Sequence, residues 1–224
     1  MKSKLTMIVI TFFVFELSAY GQNNEAFRRR AKLVEPAIVS TAARHRIDPR
    51  ILWTIAYLES RFDPKAISYK RGVPCAFGLM QFIPSTSQRY GLRNPHDLVQ
   101  SLDAGARYIS DLLKRFSGRI DLVLAAYNSG EGTVEAFRDG RKLTLSSGKI
   151  INPAAIRTGG IPPYDETQRY VSKGISLLKR LNLPGQSFRK ANHPLVESIY
   201  SSTTDSTRRS VTSPAAQSQS VYVN

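Results

Sequence analysis

The stretch Asp48-Pro49-Arg50-Ile51-Leu52-Trp53-Thr54-Ile55-Ala56-Tyr57-Leu58-Glu59-Ser60 decides how the rest of the chain is read. Asp48 can cap a helix, and proline is well tolerated at the first helical position, so the spacing predicts a helix starting at Pro49. Ile51, Ile55 and Glu59 stand four apart and share one face. A carboxyl is thereby placed beside an apolar stripe and at a helix C-terminus. Apolar surroundings and the negative end of the helix dipole both disfavour the charged form, which is the condition a general acid needs near neutral pH. An isolated glutamate at a frayed helix end would satisfy the same pattern, so the flanking sequence has to decide.

Upstream, residues 24–46 carry Phe27, Leu33, Val34, Ala37, Ile38 and Ala42 at roughly helical spacing, with Pro36 placed to kink or split the helix. Downstream, residues 61–83 read as loop, punctuated by Asp63-Pro64, Gly72, Pro74 and Gly78. Pro84 opens a short helix ending at Gly91, and Asn94-Pro95 repeats the cap-plus-proline signal with Asp97 in the first turn. Leu102, Ala106, Ile109, Leu113 and Phe116 continue at helical spacing to Gly118. Shorter helices follow over Asp121–Tyr127 and from Glu131 to just before Gly140. Residues 140–163, rich in Gly, Pro and small polar residues, suit a loop or short hairpin. A last helix runs from Asp165 to Leu181, with Val171, Ile175, Leu178 and Leu181 inward. The expected fold is all-α, one globular domain over 22–183, with room for a short hairpin or loop insertion.

The ends differ from this core. Lys2 and Lys4 precede an apolar run from Leu5 to Phe15, and Ala19-Tyr20-Gly21 offers small residues for cleavage, so residues 1–21 read as a secretory signal. A retained N-terminal anchor is the alternative. The run is short for a bilayer span, so no integral membrane segment is expected once the signal is removed. Residues 184–224 hold thirteen Ser or Thr with no sustained period and read as a disordered tail. Cys75 is the only cysteine, which excludes an internal disulfide, and an inert thiol is the expectation there. His45, His96 and His193 show no metal-ligand spacing, so neither a metal nor a cofactor is expected. The 224 residues carry a net charge of +15; Lys2, Lys4 and Glu16 contribute +1 of it, leaving +14 for the rest. Such an excess favours polyanionic partners, and in an exported chain these are wall polymers or membrane surfaces. The Arg28-Arg29-Arg30 run reads as a solvated helix face, and no aromatic-rich basic repeat points to nucleic acid.

Four blocks follow one another across the 113 residues from Glu59 to Val171. They are Glu59-Ser60-Arg61-Phe62-Asp63-Pro64-Lys65-Ala66, Gly78-Leu79-Met80-Gln81-Phe82-Ile83-Pro84-Ser85-Thr86, Ala125-Ala126-Tyr127-Asn128-Ser129-Gly130, and Ile161-Pro162-Pro163-Tyr164-Asp165-Glu166-Thr167-Gln168-Arg169-Tyr170-Val171. Together, and in this order, they resemble the soluble lytic transglycosylases, goose-lysozyme-like helical enzymes that cleave bacterial peptidoglycan. The resemblance covers the globular region and neither end of the chain. It implies a lysozyme-like domain acting on glycan strands in the periplasm.

The resemblance also implies roles. Glu59 would be the sole acid and then base: it protonates the oxygen between N-acetylmuramic acid and N-acetylglucosamine, then accepts the proton of the muramic 6-hydroxyl. That hydroxyl attacks its own anomeric carbon, giving a 1,6-anhydro ring without water. Ser60 matches the serine of the first block and equally fits a polar helix end. Gln81 matches a substrate-facing glutamine. Met80 matches a groove-lining residue and fits a core methionine as well. Tyr127 and Asn128 match residues near the acid. Tyr170 matches the closing helix, facing the cleft from the other side or half-buried in the core. The residues themselves pin no second acid beside Glu59, since Asp63 leaves the helix next to Pro64 and Asp97, Asp103 and Asp121 sit at helix starts. A hydrolase would need such a second group. A non-catalytic wall-binding scaffold would have no need of a desolvated acid, and a secreted nucleic-acid binder has only charge in its favour. Lys70 to Phe77 and Arg141 to Gly160 depart from the family pattern as longer, insertion-like segments. A signal, one domain and a polar tail fit a protein serving a secretion or conjugation apparatus, and fit general wall turnover equally.

Overall fold

The structure, a computed structural model, describes residues 25–181; the expected signal 1–21 and the whole of the 184–224 tail, with residues 22–24 and 182–183, lie outside the described residues. Helix α1 (residues 25–45) runs unbroken through Pro36. Its inward stripe is Phe27, Ala31, Val34, Ile38 and Ala42, while Leu33 is 71% exposed, so Leu33 does not belong to the core. Helix α2 (Pro49–Ser60) starts where the sequence places it, with Asp48 accepting from the Arg50 backbone N–H. It ends on Arg61 in the left-handed conformation, whose N–H bonds the Tyr57 carbonyl. Phe62 is also left-handed and wholly buried, within an aromatic cluster of Phe27, Trp53 and Tyr57.

The segment expected to be loop forms a hairpin instead. Strands β1 (Ile67–Lys70) and β2 (Val73–Phe77) pair antiparallel across Arg71-Gly72, both with positive φ. Two left-handed residues in a two-residue connection match the twist of the flanking strands. Pro74 sits opposite Tyr69 near an irregularity in register, the kind of place a sheet tolerates proline. Cys75 is half-buried and donates to the Ser68 carbonyl.

Helix α3 (Pro84–Arg89) follows, then α4 (Leu98–Arg115). Here the start lies later than expected. Asn94 takes the His96 N–H on its side chain in a turn, and Asp97 is the cap, accepting from Gln100 N at 2.8 Å. Helix α5 (Ile120–Ser129) is buried continuously from Leu122 to Ser129, which is why its sequence is apolar on every side. It touches α4, α6 (Glu131–Asp139) and α7 (Asp165–Leu181), and α2 packs on α4 and α7. Gly174 permits the close approach of α7: a Cβ there would meet Leu124 at 2.7 Å. Strands β3 (Leu143–Thr144) and β4 (Ile150–Ile151) make a second hairpin over Ala136 and Phe137. Asn152 fastens it, its buried amide donating to the carbonyls of Ala136, Arg141 and Ile156. The all-α expectation holds, with two small hairpins added. Among the described residues no helix is long and apolar enough to cross a membrane.

Candidate active site

Glu59 occupies the last turn of α2 and is half-buried. Its Oε1 accepts from the Tyr170 hydroxyl at 2.7 Å, a bond spanning 111 residues of sequence. The two are brought together because α2 and α7 pack directly. Tyr170 is itself half-buried, and its phenol supplies a hydrogen bond without supplying a charge.

Ser60, next along, ties this helix end to the second block. Its Oγ donates to the Leu79 carbonyl at 2.8 Å and accepts from Asp63 N at 3.1 Å. Asp63 is held by Arg30 at 2.9 Å and takes the Lys65 N–H, so it shapes the exit loop. Gly78 opens the block with φ +74°, and a Cβ there would lie 1.7 Å from the Pro95 carbonyl oxygen, so only glycine fits.

Met80 is placed otherwise than as a groove-facing group, and Gln81 reaches the cleft wall with its amide already bonded to the protein. Met80 is fully buried, its side chain against Gly105 in the core, and it meets the site through its backbone carbonyl, which accepts from Tyr127 Oη at 3.0 Å. Gln81 is left-handed (φ 50°) and 3% exposed. Its amide nitrogen donates to the carbonyls of Gly78 (2.8 Å) and Ala66 (3.2 Å), and its oxygen accepts from Ser68 Oγ (2.6 Å). Both amide hydrogens are thus used on the base of the first hairpin. A sequence pattern gives residue type and spacing; it carries no information on which way a left-handed residue aims its side chain.

Asn128 binds α5 to the start of α7. Its buried Oδ1 accepts from Thr167 Oγ1 at 2.7 Å and its Nδ2 lies 3.5 Å from Glu166 Oε1. Thr167 is fully buried and stands three residues before Tyr170. Glu166 and Tyr170 are four apart on one helix face. Neither Glu166 nor Thr167 is singled out by sequence reasoning, although both lie inside the fourth block; their pairing with Asn128 was the missing signal.

A cleft of about 240 Å³ adjoins the block, walled by Gln81 and Phe82, by Asn128 and Glu131, and by Leu143 and Leu145 of the second hairpin. Glu131 is bonded by Arg89 at 2.5 Å and by Tyr108 Oη at 2.9 Å. Burial pushes the Glu131 carboxyl up, but the Arg89 guanidinium and the bonds to it prevail and hold it below the ordinary glutamate value. Tyr108 is driven well above the usual phenol range, first by burial and then by the Glu131 charge. This wall is therefore anchored by an ion pair between Arg89 and Glu131.

Comparison with known proteins agrees with the four blocks. Residues 36–144 match the family described as Transglycosylase SLT domain. Among curated relatives, Membrane-bound lytic murein transglycosylase F from Shewanella sediminis is 40% identical over 117 residues, 50% of this chain and 22% of that protein. The Shewanella pealeana protein of the same name is 37% identical over 57% of this chain and 26% of its own length. The Transglycosylase of Enterobacteria phage PRD1 is 29% identical over 62% of this chain and 53% of that one. A solved structure, an inactive mutant of the lytic transglycosylase Slt from Pseudomonas aeruginosa, is 28% identical and covers 71% of this chain and 25% of that chain, with a TM-score of 0.46. The chain spans about a quarter of the length of the Shewanella relatives it matches. Over residues 36–144, the larger part of its globular region, this chain matches the transglycosylase SLT domain family.

Proposed function

We propose that the protein is a peptidoglycan lytic transglycosylase, cleaving the MurNAc-GlcNAc bond without water and leaving 1,6-anhydro ends. The observation that supports this most is the Tyr170 hydroxyl at 2.7 Å from Glu59, joining the first and fourth blocks. In the reaction, protonated Glu59 donates to the glycosidic oxygen as the C1–O bond breaks. The sugar cation is stabilised by the substrate's own N-acetyl oxygen. Glu59, now a carboxylate, takes the proton of the 6-hydroxyl as that oxygen bonds to C1, and the acid is regenerated. Tyr170 orients the carboxyl and can serve both stages, since a phenol donates to a carboxylate and accepts from a carboxylic acid. Ser60, Met80, Gln81, Tyr127 and Asn128 act as the frame: each fixes backbone or a neighbouring helix around Glu59.

The test is digestion of purified sacculi by wild type and Glu59→Gln, with the sugar ends read by mass spectrometry. Anhydro ends from wild type and none from the variant are expected. Reducing ends would favour a hydrolase, for which Glu166, one turn from Tyr170, is the carboxylate to examine. Survival of cleavage in the variant would reject the catalytic assignment. A periplasmic location and service to a secretion or conjugation apparatus complete the proposal; fractionation of a tagged full chain and pull-down from cells tests both.

A further inference from the structure

Arg28-Arg29-Arg30 reads in sequence as one solvated face, but the third arginine does not lie on it. Arg28 and Arg29 are exposed, and Arg29 pairs with Glu25 one turn back in open solvent. Arg30 is half-buried and turns into the domain, where its Nη1 donates to Asp63 Oδ2 at 2.9 Å. Its Nε is buried with no hydrogen-bond partner among the described residues. A guanidinium drawn out of water to meet a carboxylate 33 residues away is part of the fold's construction rather than of its surface.

What Arg30 meets is the exit from the helix that carries Glu59. Between Glu59 and Asp63, Arg61 and Phe62 are both left-handed, at φ 51° and 62°. Residues other than glycine hold that conformation only where the surroundings over-determine it. Contacts on both sides do so here. On the near side, Ser60 Oγ donates to the Leu79 carbonyl and accepts from Asp63 N. On the far side stand two residues of α1 one turn apart: Phe27, stacked on Phe62 at 5.8 Å, and Arg30, on Asp63. Both precede the residues matched to the family.

We infer that Arg30 is a positioning residue for Glu59: through Asp63 and Ser60 it holds the last turn of α2 so that the carboxyl stays on the Tyr170 hydroxyl. The inference rests on the proposed function. Without the guanidinium, Asp63 keeps its bonds to the Lys65 N–H and to Ser60, which lie in the same loop and move with it. The left-handed pair can then relax, and the helix end bearing Glu59 turns with it. A shift of about 1 Å at a reacting group costs up to about a hundredfold in rate. Groups that bind the strand elsewhere are untouched, so the loss falls on kcat rather than KM.

The test follows release of dye-labelled fragments from sacculi by Arg30→Met, which keeps an apolar stem and loses the donors. At a temperature where circular dichroism shows the variant folded, kcat should fall about tenfold with KM within about twofold. Arg30→Lys returns a cation to a contact made through one nitrogen, and should recover kcat to within about threefold of wild type. Arg29→Gln, on the exposed pair with Glu25, should change nothing. Asp63→Asn keeps an oxygen for the Lys65 N–H and should also cost about tenfold; adding Arg30→Met to it should lower kcat little further. Unchanged kcat in Arg30→Met, a change in KM alone, no recovery with lysine, or multiplied losses in the double variant would each overturn the inference. If Arg30→Met does not fold, unchanged kcat in Asp63→Asn overturns it instead. Failure of wild type to release anhydro ends would overturn the proposed function and this inference together, whereas a cleaving wild type with unaffected variants rejects the inference alone.

Discussion

Two of the half-buried glutamates of this site, Glu131 and Glu59, are met by different partners. Glu131 faces a guanidinium, and that charge keeps its carboxyl ionised despite burial. Glu59 receives its Oε1 bond from the Tyr170 phenol, which adds no charge. Burial alone does not make a carboxyl an acid catalyst; the chemistry of the partner decides whether a proton can be held and released. The site thus holds one carboxyl met by a guanidinium and one met by a phenol, and the proposed reaction uses the second.

The largest test of that contrast is Glu59→Gln, expected to lower turnover of sacculi by about a thousandfold, within the range for losing a general acid. The fold should be unaffected, as judged by the urea midpoint. Next, Tyr170→Phe removes one bond to the reacting carboxyl. A loss of about 1.5–3 kcal/mol corresponds to ten- to a hundredfold in kcat, with KM little changed. If kcat is unmoved, Tyr170 is a packing residue and the contrast between the two glutamates fails.

Thr167→Val is expected to cost about tenfold in kcat and about 1–3 kcal/mol in stability, because Asn128 Oδ1 loses its buried donor. The decisive measurement is the double variant. If Thr167 acts by setting α7 so that Tyr170 reaches Glu59, adding Thr167→Val to Tyr170→Phe should lower kcat little further, while stability still falls. Additive losses in kcat would reject that route.

The smallest effect concerns Glu131. Its carboxyl is depressed in the fold, so the pairing with Arg89 stabilises fully above the ordinary glutamate value of about 4.3 and is lost as pH falls through the lowered value. The unfolding free energy of wild type in urea should exceed that of Glu131→Gln by about 0.5–1 kcal/mol at pH 6, and the gap should close near pH 3. A gap that persists in acid would mean that shape, not charge, holds this wall.

What the sequence made legible follows from how local each signal is. Asp48-Pro49 announces α2 because capping is settled within three residues, and a short helix is expected over Asp121–Tyr127, although its burial from Leu122 to Ser129 emerges only in the fold. Asn94-Pro95 misleads by three residues, since Asn94 and Asp97 can each take a backbone N–H and only packing chooses between them. The first hairpin escapes notice because its strands have no clean alternation: Pro74 and Cys75 interrupt them. In the site, the blocks identify which segments converge. Which side chains touch is set by contacts such as Glu59–Tyr170 and Asn128–Thr167, and no local pattern encodes those. Gln81 shows the limit most clearly: the residue type suggests a sugar contact, while its left-handed backbone turns the amide onto the hairpin.

One buried ring gives the molecule an optical handle. Trp53 is the only tryptophan, fully buried, stacked on Tyr57 at 5.5 Å and packed edge-on to Phe62 at 5.0 Å. It stands six residues before Glu59 on the same helix. Intrinsic tryptophan emission therefore reports from one place, the helix that carries Glu59. A red shift signals that this helix has left its aromatic seat, before any assay of wall cleavage is run.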